Sequence, residues 1–385
     1  MKICYLADAG SVHTQRWVKY FADNGHEVHL ISFRSLDGNI ENVKLYVLKR
    51  LQPQIRIISF SANLLFDMIQ VKKIIKKIKP DILHAHYITD NGMLGALCGF
   101  HPFVITAWGS DVLVAPKKYK ISKRMVKYAL KRADLITCDG ENSKDIMINL
   151  GIIQEKIKLI YHGVDTKEFS PKQRNNKFRE ELKTFYSPIV ISNRKLEPVY
   201  NVESLIKAIP LVLKDFPEGK FVIGGKGSQE IYLKKLAKSI GVLDSIRFIE
   251  WLPRNEFIRC LASVDIYVST SLSDGGISVS TTEAMACGLP VVVTDSGDNK
   301  KWIKDGENGF VVPIRDPNAL AKRIVYLIQN ENIRKRFGKI NRKIIEEKAE
   351  YKKEMEKMEK IYEEVIAGFH ERKAKNKNTQ KRRIL

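Results

Sequence analysis

The sequence predicts an α/β protein made of two doubly wound parallel sheets facing across a cleft. Short β-rich runs alternate with helical patterns along most of the chain, the signature of βα units. A polar stretch over 166–188, with Pro171, Pro188 and a run of Lys, Arg and Asn, separates two such series. The 385 residues are also enough for two or three domains at roughly 150 residues each.

Taken in order, Ile3–Ala7 reads as the first strand. A helix from about Thr14 to Asn24 follows, and Gly25 suits its C-cap. Further strands are expected at Glu27–Ser32, Asp81–His84, Phe103–Thr106, Leu135–Cys138 and Ile157–Ile160. The second series is Ile189–Asn193, Lys220–Gly224, Ile246–Ile249, Ile266–Ser269 and Pro290–Thr294. After Pro317 the chain reads as helical to about Ala367. Met355, Met358, Ile361, Tyr362 and Val365 share one face there. The domains are placed at 1–168 and 169–348, with a terminal helix over 349–369 and a disordered basic tail over 370–385.

Composition narrows the function classes. Hydrophobic residues make up 44%, which excludes wholesale disorder. The formal charge is +22, which calls for an anionic partner: nucleic acid, an acidic membrane or a phosphorylated small molecule. No zinc-finger or RNA-recognition signature supports nucleic acid. The cysteines, Cys4, Cys98, Cys138, Cys260 and Cys287, are odd in number and form no CxxC pair. A reducing, cytoplasmic compartment is therefore expected, with no disulfide framework or zinc-thiolate site. The amino terminus lacks a signal peptide's length and cleavage site. His101 and Pro102 break the apolar stretch from Gly92 to Trp108 into a buried helix and a buried strand, so membrane contact is expected to be peripheral. Excess charge collects over 72–79, 117–132 and 370–385. The second of these sets Ile121, Met125, Tyr128 and Ala129 at helical spacing, as in a helix lying on an anionic membrane. A solvated helix with an ordinary core face gives the same pattern.

Ligands of doubly wound sheets bind at the carboxyl ends of strands. Ser271–Pro290, SLSDGGISVSTTEAMACGLP, joins a strand to a helix. Asp274, Gly275 and Gly276 form a glycine turn, and Ser278, Ser280, Thr281 and Thr282 sit near the helix start, where amides can hold an anion. Glu283, one turn in, can accept two hydrogen bonds from ribose hydroxyls. The same residue types also serve plain capping. Arg194 and Lys195 follow a strand and suit a diphosphate. Gly224–Gly227, GGKG, offers Lys226, either as a phosphate loop or as an ordinary tight turn. In the first half, Gly10 and Ser11 stand after the first strand, with His13 and Arg16 close by. HAHY, containing His86, and TAWGSD, containing Trp108 and Asp111, end two others.

Together these segments resemble the retaining, nucleotide-sugar-dependent glycosyltransferases of family 4, which have the GT-B fold. The resemblance runs from GSVHTQRWVKYFADNGHEV through HAHY, TAWGSD and YHGVDTKEFSP to SDGGISVSTTEAMACGLPVVVTDSGDNKKWIKDGENGFVVP. It implies two Rossmann-like domains, the first for the acceptor and the second for the donor nucleotide, with the last long helix crossing back onto the first. It implies that Glu283 binds the donor ribose and that the turn Asp274–Ser278, with Ile277, holds donor sugar and phosphates. Arg194 would meet the diphosphate, Gly10 and Ser11 would lie over the donor phosphates, and Glu250–Leu252, with Trp251, beside the base. His86 and Asp111 become acceptor-side catalytic candidates, with loop hydrogen bonding as their other reading. The family's paired glutamates are here Asp274 and Glu283, nine apart. Tyr200-Asn201 replaces the usual lysine, Trp108 the usual histidine and Lys301 the usual glutamate.

The expected activity is retaining hexosyl transfer from a nucleotide-diphosphate sugar, with no metal or other cofactor. The expected partners are that donor, a glycan or lipid-linked acceptor and an anionic membrane surface at the inner face of the cell membrane, but no nucleic acid. A GT-B protein that is not a transferase, such as a nucleotide-sugar epimerase or an inactive scaffold, is the alternative.

Overall fold

The computed structural model describes the chain apart from residues 37, 50–55, 119, 183, 185–186, 251 and 385; for 56–62, 117–118 and 376–384 only the backbone is described. The chain forms two compact units, 1–161 with 354–385, and 162–353.

Unit 1 holds β1 (Lys2–Leu6), β2 (Glu27–Ser32), β3 (Val43–Val47), β4 (Ile82–His86), β5 (Phe103–Ala107), β6 (Leu135–Cys138) and β7 (Ile157–Leu159). They pair in parallel in the order β3-β2-β1-β4-β5-β6-β7. Unit 2 holds β8 (Ile189–Asn193), β9 (Lys220–Gly224), β10 (Ile246–Ile249), β11 (Ile266–Ser269), β12 (Val291–Thr294) and β13 (Gly309–Val312). Their order is β10-β9-β8-β11-β12-β13, again all parallel. Central strands such as β5 and β12 are buried along their whole length, because helices cover both faces of a parallel sheet. Each order reverses once, between β1 and β4 and between β8 and β11, and the loops diverging there leave a crevice at the strand carboxyl ends.

In unit 1, side chains alternate across the sheet. Leu6, Leu83, Ala85 and Ile105 face a layer made by the helices Arg56–Ile78, Met93–Cys98 and Lys120–Arg132. Tyr5, His84 and His86 pack instead around Trp17, Phe21 and Tyr362, from Val12–Asp23 and the terminal helix Tyr351–Ile384. His84, fully buried, stays neutral because burial drives its pKa well down. It bonds Tyr362 Oη through Nδ1 and Thr106 Oγ1 through Nε2, the latter at 2.6 Å. Met355, Met358, Ile361 and Tyr362 are buried as their spacing predicts, whereas Val365, the last of that face, is only half-buried.

The structure differs from the sequence reading at four places. β3 and β13 are not anticipated: both are edge strands, and each directly follows a polar stretch rich in Gly, Asn and Asp that reads as loop. The domain division falls after Tyr161, not after residue 168. Val164 pairs with Glu350, and Arg342 donates to the carbonyls of Thr166 and Phe169, tying this stretch to unit 2. The segment over 370–384 is not an irregular tail: helix continues through Ile384, and no Gly or Pro after Gly368 interrupts it, while residue 385 lies outside the described residues. Finally, the stripe Ile121–Met125–Tyr128–Ala129 is not one face. Val126, Ala129 and Leu130 enter the core, while Ile121 and Tyr128 point outward among lysines. The five cysteines are all free, and no helix among the described residues is long and apolar enough to cross a membrane.

Candidate active site

In unit 2 the candidate residues gather at the switch point. Arg194 leaves β8 and Asp274 leaves β11, its neighbour in the sheet. The Arg194 guanidinium forms an ion pair with Asp274, donates to Ser280 Oγ at 3.0 Å and lies 4.4 Å from the centre of the Tyr200 ring. Both charged side chains are 9% exposed. Burial works against the Arg194 charge, but Asp274 and the Tyr267 and Tyr200 rings outweigh it and hold the pKa above its ordinary value. Arg194 Nε is buried without a hydrogen-bond partner. Tyr267 Oη donates to Ser280 Oγ at 2.8 Å, completing a hydroxyl-lined wall. Ser278 caps the helix Val279–Ala286, its Oγ accepting from Thr281 N. Thr282 turns back to the Val279 carbonyl, and Ile277 is buried beneath the turn. Glu283 is half-buried on this helix, within the field of Arg254, whose charge is stabilised first by Glu168 and further by Glu283.

Close backbone contacts explain the glycines. A Cβ on Gly297 would sit 2.1 Å from the Gly276 carbonyl, which accepts from Asp298 N. A Cβ on Gly225 would lie 2.3 Å from the Arg194 carbonyl, and one on Gly227 equally near that of Leu196. Gly225 and Gly227 are thus demanded by the neighbouring Arg194–Leu196 loop. Lys195 and Lys226 are exposed beside them, Lys226 with Glu250 at 3.0 Å. Trp251 lies outside the described residues.

In unit 1, Gly10 and Ser11 follow β1 at the start of the helix Val12–Asp23, with Gly10 exposed. His86 ends β4 and is 3% exposed, packed edge-on against Trp17 and Trp108 with ring centres 5.0 and 5.2 Å away. Trp108 stacks on His13 at 5.4 Å. Asp111 is fully buried. It accepts from Ile88 N at 2.8 Å and Trp108 N at 3.0 Å, fastening the loops after β4 and β5 together. Burial raises its pKa to about 7. Tyr87, between these loops, adopts φ +78° and bonds Ser110. Among the described residues, no group of three His, Cys, Asp or Glu side chains that could hold a metal ion is assembled.

A family model for "Glycosyl transferase 4-like" proteins matches residues 2–140, and one for "Glycosyl transferases group 1" matches residues 173–344. The chain belongs to the family-4-type glycosyltransferases. An uncharacterised glycosyltransferase of Methanocaldococcus jannaschii is 28% identical over 363 residues, 92% of this chain and 94% of that one. A Corynebacterium glutamicum GDP-mannose-dependent mannosyltransferase, named for a phosphatidylinositol monomannoside, is 29% identical over 193 residues, 48% of this chain and 50% of the relative. Matches to another M. jannaschii glycosyltransferase and to Bacillus subtilis spore coat protein SA take in 63% and 65% of those proteins' own lengths. The Anabaena HepE protein, crystallised with UDP-glucose, shares the GT-B fold: TM-score 0.80, 20% identity, 95% of this chain and all of that one.

The candidate site contains partners that sequence reasoning misses. Tyr200 was read only as a missing lysine, and Tyr267 and Ser280 were not linked to Arg194. Their common signal is that Tyr267 lies on β11, Tyr200 in the loop after β8 and Ser280 at the start of the helix that follows β11.

Proposed function

We propose that this enzyme is a retaining hexosyltransferase. In this reading it moves a sugar from a nucleotide diphosphate to a glycan or lipid-linked acceptor, without a resident metal or cofactor, at the anionic inner face of the cell membrane. The observation that carries this reading is the cluster at the unit 2 switch point, where a glycine turn, a capped helix start, a held arginine and Glu283 stand together. As the donor bond breaks, charge grows on the diphosphate. Preorganised donors stabilise it without rearranging. The amides of Gly275 and Gly276 and the exposed Lys195 meet the phosphates, while Arg194 keeps Asp274 and the turn in place. A diphosphate reaching Arg194 would have to share it with Asp274. Glu283 takes the ribose hydroxyls. The departing phosphate oxygen accepts the acceptor's proton on the same face, so the anomeric configuration is kept and no protein base is required. Asp111 and His86, buried and engaged, then shape the acceptor side.

The membrane part rests on the helical layer of unit 1. Leu65, Ile69, Ile121 and Tyr128 are exposed there among Lys72, Lys73, Lys76, Lys120, Lys123, Arg124 and Lys131. Apolar side chains among cations suit an anionic bilayer surface. The lipid acceptor in the name of the C. glutamicum relative supports a lipid-linked acceptor here.

A thermal-shift screen against UDP, GDP, ADP, CMP and their sugar conjugates tests the donor reading, because binding to the folded state raises apparent stability. UDP conjugates head the panel. Glu283→Ala should lose about 10²-fold in donor affinity, the scale of a charged hydrogen bond, at unchanged melting temperature of the free protein. An unaltered response would remove Glu283 from the site.

A further inference from the structure

Between the carboxyl end of the helix Arg56–Ile78 and the loop joining Met93–Cys98 to β5 lies a cavity of about 450 Å³. Ile75, Cys98 and Phe100 form its apolar side, and Lys72, Lys76 and Lys79 its rim. It opens at the amino ends of β4 and β5, opposite the end where the switch-point loops lie. We propose that this cavity binds the phosphate-bearing headgroup of an anionic phospholipid. It deepens the membrane reading above by naming a discrete lipid site, and the experiment reads the two separately.

Three observations converge. First, Lys72, Lys76 and Lys79 stand at i, i+4 and i+7 on one stripe, and none forms an ion pair among the described residues. The unit 2 helices differ: Lys207, Lys234, Lys335 and Lys343 each face a glutamate four residues earlier or later. Second, Lys79 adopts φ +51°, where glycine is usual, closing the helix on the Ile75 carbonyl and adding a third cation to the rim. Third, charge far away in sequence comes to the same end of the sheet. The Arg132 guanidinium lies 4.0 Å from where a Gly99 Cβ would be, and Arg372 reaches Asp134 at 3.7 Å. That nearby acid is already engaged by His101 and by the Phe103 amide. The same helix stripe continues back through Ile69 and Leu65, both exposed, so acyl carbons have an apolar path leading away from the lysines. A cationic rim around an apolar side matches an amphiphile better than a bare phosphate.

Flotation of the full-length protein at low salt, with vesicles of phosphatidylcholine alone or with phosphatidylglycerol added, reads membrane docking. Binding should require the anionic lipid. The K72Q/K76Q/K79Q variant should bind roughly a hundredfold more weakly, from about fivefold per lysine. Thermal shift with water-soluble dihexanoyl phosphatidylglycerol reads the cavity. Wild type should be stabilised, and K72Q/K76Q/K79Q should not. The K123Q/R124Q/K127Q variant, with the same charge removed from the open helix, should float less well yet keep the short-lipid response. All variants should retain the wild-type response to the best nucleotide. A short-lipid response surviving in K72Q/K76Q/K79Q would overturn the site. So would equal stabilisation by inorganic phosphate or glycerol 1-phosphate, which would mean a free phosphoryl ligand. A short-lipid response without flotation would sink the membrane reading and support the cavity.

Discussion

Asp274 in unit 2 and Asp111 in unit 1 occupy similar places, just beyond a strand at the carboxyl end of a parallel sheet, and are held in opposite ways. Asp274 is paired with a buried guanidinium, which also donates to Ser280, itself bonded by Tyr267. Asp111 forms no ion pair among the described residues; the backbone amides of Ile88 and Trp108 hold it, and the nearby rings are those of His86, Trp108 and Trp17, packed on one another. The same topology therefore yields a charged crevice end and a nearly neutral, aromatic one. In the function proposed above, a departing diphosphate would need the first, and an uncharged acceptor hydroxyl would be served by the second.

The largest effect should come from splitting the unit 2 pair. Asp274→Asn leaves a buried guanidinium without its counter-charge and should destabilise unit 2 by about 3–5 kcal/mol. Urea unfolding followed by a unit 2 probe measures it. The Arg194→Leu/Asp274→Leu double variant should lose much less than the two single changes combined, as coupled residues do. Additive losses would dissolve the contrast between the two units.

Asp111→Asn should be intermediate. An amide can still accept from one backbone N–H but presents an NH₂ to the other, at about 1–3 kcal/mol. Its pH signature is specific. The folded carboxyl holds its proton up to about pH 7, whereas an unfolded aspartate loses it near the ordinary 3.8. The folded state thus binds more protons between these values, and the Asp111 contribution falls as pH rises from about 4 to 7, then levels off. The difference in stability between wild type and Asp111→Asn should follow that curve, and a flat difference would count against a buried, uncompensated Asp111. Smallest is Tyr200→Leu, which removes the ring beneath Arg194 and should lower unit 2 stability by about 1 kcal/mol. No change in the melting curve would mean that Asp274 alone positions the arginine.

Much of this was legible in the sequence because the chemistry sits in loops that follow strands, and strands announce themselves by composition. Arg194, Asp274 and Gly275 are legible as such loop residues, and Glu283 as a residue one turn into the helix that follows. Their mutual contacts are not, because Arg194 and Asp274 are eighty positions apart and meet only since β8 pairs with β11. His13 and Trp108 stack for the same kind of reason, through the β1–β4–β5 order. The GGKG loop shows the limit of composition: phosphate loop and tight turn share its residues, and only the approach of the Arg194–Leu196 backbone explains why glycine is needed. The basic segments are legible in the sequence as three separate runs, and only the fold brings Lys72–Lys79 and Arg132 to one end of one sheet.

By itself the sequence determined what is local and periodic: the alternation of strands and helices, the division into two parallel sheets and the buried face of the terminal helix. It also determined which loops carry charge, hydroxyls and glycine. The tertiary structure decided which of those groups neutralise one another and which stay open. It encloses Arg194 with Asp274, fastens Asp111 to two amides and leaves the lysines around the cavity without an ion pair among the described residues. Periodicity depends on neighbours a few residues apart, whereas the state of a charge depends on what strand order brings within a few ångströms.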